Sequence, residues 1–396
     1  MNSLESQTAI RPSYLYPVFF GSFSFVFLNF SLPIRADDLG IDAVGIGGMY
    51  AVFTGAMLIF RPIVGYCLDR FGRHIFFSSA FFFYVLAMLV FTQSNSIYDF
   101  YLARFLQGIG ASLMWVSART ITSDLHKSES VGSAMGVLTT TSVRGSMVGA
   151  TYGFTLLGFL PMQSAWVWAF IGYSLMSAVA LLFSLKLKET STMVLPNNSY
   201  ESFNGSVPWS PNLVKVLFIV FLSAFASALI EPIYLLFLKT KFDISVLTLA
   251  LVFFPAGLVH AILPRYSGQW SDKWGRGTII AIGLALAGCL SIALPYWQSL
   301  YFIAASYVLF SIGWAMASPA EDALVTDISP AHLRGTIMGI REGASGAGSA
   351  LGPLVGGYIY EYWAKEMAFV SNGVLLIVVA ILALFWFKQK LTFSKV

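Results

Sequence analysis

Residues 65–74 read GYCLDRFGRH, and this charged decapeptide decides how the rest of the chain is understood. It holds one acid, two arginines, His74 and two glycines, and it follows an apolar run ending LIFRPIV. A second version, GQWSDKWGRG, occupies residues 268–277. An offset of 203 residues superposes Gly65 on Gly268, Asp69 on Asp272, Gly72 on Gly275 and Arg73 on Arg276. Without a gap, the same offset pairs Asp124 with Asp327, Gly136 with Gly339, Gly145 with Gly348, Gly149 with Gly352 and Gly153 with Gly356. So many glycines and aspartates at one spacing mark two homologous halves.

The chain on either side of the decapeptide is strongly apolar. Apolar residues make up 57% of the 396, charged residues only 11%, and the mean hydropathy is +0.75. A soluble chain carries about 25% charged residues, so lipid must cover the surface. Runs of about 20 apolar residues read as membrane-spanning helices. Twelve are expected, over 13–34, 41–63, 75–93, 97–123, 132–158, 165–187, 212–237, 245–266, 277–296, 298–326, 335–358 and 366–388. The first is too long, and lacks the charged start and small-residue cleavage site, to be a removable signal. The expected fold class is an all-α membrane protein, with twelve transmembrane helices in two pseudo-symmetric six-helix halves. Residues 1–187 form the first half and 212–396 the second. The stretch 188–211 carries Pro, Asn, Ser and Gly without apolar periodicity and reads as a cytoplasmic linker. Two such halves with a substrate site between them are a transporter architecture.

Charge placement orients the chain. With the N-terminus inside, fourteen of the 23 bases fall in inside segments, four in outside segments and five within spans. The positive-inside rule then puts both termini in the cytoplasm, and the net charge of +4 is a topological signal rather than a nucleic-acid footprint. The two cysteines suggest neither a disulfide framework nor a metal site. Four histidines and the absence of H-E-x-x-H, G-x-S-x-G and P-loop motifs argue against an enzyme and against ATP-driven transport by this chain alone.

The decapeptide lies on the inside turn between the second and third spans. Gly65 and Gly72 would let helices approach and the chain turn sharply. Asp69 sits where a helix N-terminus favours a carboxylate, and Arg70 and Arg73 can pair with Asp124 at the end of the fourth span. A stop-transfer charge cluster is the plainer reading. Repetition in Asp272 and Arg276 favours a cytoplasmic gate instead, a charged latch made of Gly65, Asp69, Arg70, Gly72, Arg73, Asp124, Asp272 and Arg276.

These residues resemble the major facilitator superfamily. GYCLDRFGRH is similar to its loop signature G-x-x-x-D-R-x-G-R-R, with His74 in place of the last Arg. RFLQGIGA, residues 104–111, resembles its fourth-helix motif R-x-x-Q-G through Arg104, Gln107 and Gly108. The eleventh span matches the glycine pattern of the superfamily's antiporters, G-x8-G-x3-G-P-x2-G-G, at Gly339, Gly348, Gly352, Pro353, Gly356 and Gly357. That motif normally sits on the fifth helix, where this chain keeps Gly136, Gly145, Gly149 and Gly153 but has Ala150 and Phe154. In the superfamily, helices two and eleven, and five and eight, pack across the halves. Helices one, four, seven and ten line the cavity, which here implicates Asn29, Trp115, Tyr234 and Trp314.

Charges inside spans are costly, about 2.5–3.5 kcal/mol or more at the helix centre, and usually face an interior cavity. Arg104, Arg144, Glu231, Glu321, Asp322, Arg341 and Glu342 are therefore candidates for substrate binding or energy coupling, although each could be a static ion pair. Glu231 is the first choice for proton exchange, because no base is near it in sequence. Asp322 is second, because Arg341 can hold it ionised. The expected function is secondary active transport of a small organic solute by alternating access. The resemblance favours proton-coupled export in the plasma membrane, the inner membrane if the source is bacterial. Uptake by proton symport, facilitated diffusion and a non-transporting sensor are the alternatives. No cofactor is expected, with the proton gradient as energy source. The implied partners are an amphiphilic or drug-like solute and the lipid bilayer, for a monomer.

Overall fold

A computed structural model describes residues 13–125, 131–187, 209–242, 271–329 and 334–387, with isolated positions between 248 and 270. The side chains of Asp69, Ser123, 131–133, 135–136 and 334–336 are outside that description. The described residues are helical, without strand. In chain order the helices are α1 (Leu15–Gly21), α2 (Ser24–Asp38), α3 (Ala43–Phe71), α4 (His74–Thr92), α5 (Ile97–Leu125) and α6 (Val131–Phe159). They continue as α7 (Met162–Leu185), α8 (Pro211–Phe242), α9 (Arg276–Ala293), α10 (Leu300–Ile328), α11 (Arg334–Tyr362) and α12 (Lys365–Phe387). The first expected span is thus α1 and α2 together. The span expected at 245–266 lies outside the described residues, apart from isolated helical positions. Among the described residues, eight helices are long and apolar enough to cross a membrane. Helices α5, α6 and α11 fall short because glycine, serine, threonine and charge dilute their apolar content.

Local chemistry sets several helix ends. Ser96 and Asp99 form a reciprocal cap on α5: the Ser96 N–H donates to Asp99 Oδ2 at 2.9 Å and the Asp99 N–H to Ser96 Oγ at 3.4 Å. Asp42 accepts from the Gly45 N–H at 2.8 Å and starts α3. Gly72 and Gly275, equivalent in the repeat, take φ of 93° and 89°, a left-handed turn that a side chain would oppose. Each places the following arginine beside the end of a neighbouring helix.

Two compact units result, residues 1–41 with 52–203 and residues 42–51 with 204–396. In the first, α4 packs on α5 and α7, while α1 and α2 pack on α6. In the second, α9 packs on α10 and α12, and α8 on α11. These are the same neighbours, displaced by the repeat. Buried Phe27, Phe91, Phe100, Trp166 and Phe170 close one end of the first unit, with Trp166 Nε1 donating to the Phe91 carbonyl at 2.7 Å. Large apolar side chains such as Phe82, Leu175, Ile381 and Phe385 stand exposed on the helix flanks, the surface that lipid covers.

The glycine ladders pack inside the units. A Cβ on Gly145 or Gly149 would collide with the carbonyls of Phe19 and Phe23, and one on Gly153 with the Phe27 ring. On α11, Gly348, Gly352 and Gly356 face the Phe221, Phe225 and Leu229 carbonyls of α8. Small residues here permit the backbone contact that holds helices together in lipid. Gly47, from the 42–51 segment, lies against the Pro353 carbonyl, and Gly357 against that of Ala43, so this segment packs on α11.

Candidate functional site

Three helices of the second unit turn polar side chains toward one cavity of about 190 Å³. From α8 come Ser227 and Glu231, from α10 Trp314, Ser318 and Glu321, and from α11 Arg341, Ser345 and Ser349. Each set recurs at three or four residues, the spacing of one helix face. Prolines shape the same helices. Pro319 removes the N–H that would close on the Ala315 carbonyl, and Ser267 Oγ donates to that oxygen instead at 2.8 Å. Pro232 likewise leaves the carbonyl of Ala228, a lining residue, without its helical donor.

The ionisable groups divide into two arrangements. Arg341 bridges two acids, with Nη2 on Asp322 Oδ1 at 2.5 Å and Nη1 on Glu342 Oε1 at 2.9 Å. This ties α10 to α11 and commits both arms of the guanidinium fork. Glu321 is different: only 3% exposed, it accepts from Ser223 Oγ of α8 at 2.7 Å and makes no ion pair among the described residues. Arg341 is within electrostatic reach of it but bonded elsewhere. Glu231 is exposed on the cavity wall. The buried ring of Tyr234 lies 5.0 Å from that of Tyr307. Glu231, the first choice for proton exchange, is exposed, and the buried carboxylate of the cavity is Glu321. Both lie on the cavity wall, but Glu321 is enclosed beside Ser223 whereas Glu231 is exposed.

The remaining candidates sit elsewhere. Arg104 is 2% exposed, donates from Nη1 to Gln107 Oε1 at 2.9 Å and covers the Phe53 ring at 5.3 Å. Arg144 and Asn29 are exposed, and Trp115 is half-buried beneath the Arg119 guanidinium at 5.7 Å. At the decapeptide, Arg73 Nε reaches Asp124 Oδ2 at 3.0 Å and Nη1 donates to the Leu68 carbonyl at 3.1 Å. The copy repeats this, with Arg276 Nε on Asp327 Oδ2 at 3.1 Å and Nη1 on Ser271 Oγ at 2.6 Å, and adds a contact to Asp272. Each pair joins helices within one unit. Arg70 is exposed over the Phe71 ring, away from Asp124. Gly65 has open space around it, so close approach does not explain that glycine. The side chain of Asp69 lies outside the described residues. The serines at 223, 227, 318, 345 and 349 escaped the sequence reading. The one signal is the four-residue spacing of Ser223 with Ser227 and of Ser345 with Ser349.

A bundle of lipid-covered helices enclosing a charged, serine-lined cavity defines a multi-pass membrane protein built to handle a small solute. The chain belongs to the Major Facilitator Superfamily, whose family model matches residues 18–215 and 216–395. It is 23% identical over 335 residues to Multidrug resistance protein 1 of Bacillus subtilis, covering 83% of this chain and 84% of that one. It is 25% identical over 378 residues to the multi-drug resistance efflux pump PmrA homolog of Lactococcus lactis, covering 92% of each. Among solved structures, the nucleoside transporter NupG aligns over 98% of this chain and 100% of its own with a TM-score of 0.75 at 16% identity, a likeness of fold. The protein is a secondary transporter of a small molecule, not an enzyme.

Proposed function

We propose that the protein exports a small organic solute in exchange for protons, by alternating access, as a monomer in the plasma membrane with both termini cytoplasmic. The names of the multidrug-resistance and efflux relatives support export. Glu321 carries the coupling argument. An ionised carboxylate buried in a lipid-embedded bundle costs several kcal/mol unless a cation or several donors meet it. Glu321 has one neutral hydroxyl, from Ser223. The protonated form satisfies the closed cavity wall, and the ionised form requires water or a cation beside it. A group with those two states, on a cavity wall, exchanges a proton for a solute.

The test is transport in proteoliposomes with and without an imposed pH difference. Wild-type flux should follow the gradient, whereas Glu321→Gln should still exchange solute but lose the gradient dependence. A wild type indifferent to the gradient sinks proton coupling and leaves facilitated diffusion. A Glu321→Gln protein that responds like the wild type moves the coupling group to Glu231, Asp322 or Glu342.

A further inference from the structure

We propose that a second cavity, at the ends of α8, α9 and α12, holds the phosphodiester of an anionic membrane phospholipid. It lies wholly within the second unit and has a volume of about 480 Å³. Lys241 of α8, Gln298 beyond α9, and Lys365 and Glu366 of α12 line it. The two lysines are among the four bases that the sequence leaves in outside segments, where positive charge is otherwise scarce. Neither forms a salt bridge among the described residues. The Lys241 ammonium is held in place: Nζ donates to the Pro295 carbonyl at 2.5 Å and lies 5.5 and 5.8 Å from the Phe237 and Phe242 ring centroids. That uses one of its three N–H donors and leaves two for an acceptor in the cavity. Lys365 Nζ rests 5.8 Å from the Tyr360 ring centroid.

The surroundings point to a lipid rather than a dissolved anion. Tyr296, Trp297, Tyr301, Tyr362 and Trp363 stand exposed around these helix ends, an aromatic belt of the kind that marks the membrane–water boundary. Along α12, Met367, Val374, Val378, Ile381 and Phe385 are exposed. They recur at three, four or seven residues, so they form one apolar stripe that begins beside Lys365 and Glu366. A headgroup seated in the cavity lays its acyl chains on that stripe. Charge selects the headgroup. Two ammoniums and one carboxylate leave the wall with a single net positive charge. A phosphodiester brings one negative charge, and its oxygens accept charge-assisted hydrogen bonds from both lysines. A phosphomonoester carries close to two charges at neutral pH and sets the second against Glu366. A choline headgroup puts a fixed cation beside the lysines and has no N–H for Glu366, whereas the hydroxyls of a glycerol headgroup can donate to that carboxylate.

Thermal unfolding of the purified full-length protein in a neutral detergent tests this, with dihexanoyl phosphatidylglycerol as the probe. The melting temperature should rise with lipid concentration and saturate, as binding to the folded state requires. Dihexanoyl phosphatidylcholine should bind at least about tenfold more weakly, as should inorganic phosphate and glycerophosphoglycerol, the same headgroup without its chains. Lys365→Gln, at an exposed position, should weaken phosphatidylglycerol about fivefold, the worth of one lysine near a membrane surface. Lys241→Gln should weaken it at least as much, and Lys241→Arg, which keeps the charge, should restore the affinity. Lys215→Gln, at the other end of α8, should leave binding unchanged. The wild type should prefer phosphatidylglycerol to dihexanoyl phosphatidate, and Glu366→Gln should remove that preference. The proposal is overturned if phosphatidylglycerol gives no saturable shift, if phosphatidylcholine matches it, or if Lys365→Gln and Lys241→Gln both bind it like the wild type. Equal affinity for glycerophosphoglycerol would make the occupant a dissolved phosphodiester and overturn the lipid assignment.

Discussion

Gly149 and Gly158 stand on the same helix, yet a methyl group meets different surroundings at each. At Gly149 it would strike the Phe23 carbonyl, while at Gly158 nothing lies within 4 Å. Backbone cannot yield as a side-chain tip can, so Gly149→Ala should cost about 1–3 kcal/mol and lower the melting temperature of the purified protein. Gly158→Ala should be neutral, or stabilising by about 0.5–1 kcal/mol through the backbone freedom that glycine loses on folding. Equal melting temperatures for the two variants would refute the close contact. Arg341 makes a second case at this scale. Its fork meets Asp322 and Glu342 through different nitrogens, a geometry that an ammonium point charge reproduces poorly. Arg341→Lys should therefore restore only part of the transport lost in Arg341→Gln, in flux assays at matched expression. Full restoration would mean that charge alone matters there.

Between elements, the two copies of the decapeptide perform one mechanical task in different surroundings. Arg73 joins the start of α4 to the end of α5, and its pair is almost buried, with side chains 9% and 12% exposed. Arg276 joins α9 to α10 in the same way, but Asp327 is 52% exposed. Water screens the second pair and not the first. A double-mutant cycle on Arg73→Gln and Asp124→Asn should show coupling of about 1–3 kcal/mol. The cycle on Arg276→Gln and Asp327→Asn should show less than about 1 kcal/mol and fade with added salt. Thermal unfolding of the six variants in detergent measures both. Equal couplings would mean that exposure does not set the strength of these clamps.

For the whole molecule, the testable statement is orientation. With Cys67 and Cys289 replaced by serine, a cysteine at Asn95, an exposed position between α4 and α5, should react with impermeant maleimide on intact cells. One at Asn198, in the stretch read as a cytoplasmic linker, should react only with permeant reagent. Reaction of Asn198 from outside would invert the topology.

Among the described residues, the helices, the internal duplication and the Arg73–Asp124 clamp were legible along the chain. Hydropathy reads directly as spans, and an offset of 203 residues aligns Arg73 and Asp124 with Arg276 and Asp327. The candidate cavity was legible only in part. Glu321 and Asp322 are adjacent in sequence, and on a helix adjacent side chains diverge by about 100°. One therefore faces Ser223 of α8 and the other Arg341 of α11. Which carboxylate is buried depends on how α10 is rotated between its neighbours, and the glycine ladder of α11 against α8 helps to set that packing. Serines on apolar spans mark tight packing as often as a cavity wall, so their role emerges only when three helices meet. Sequence alone determined what crosses the membrane and which charges are repeated; tertiary structure decided which acid is enclosed with a single hydroxyl, because enclosure belongs to the packed helices and not to any one of them.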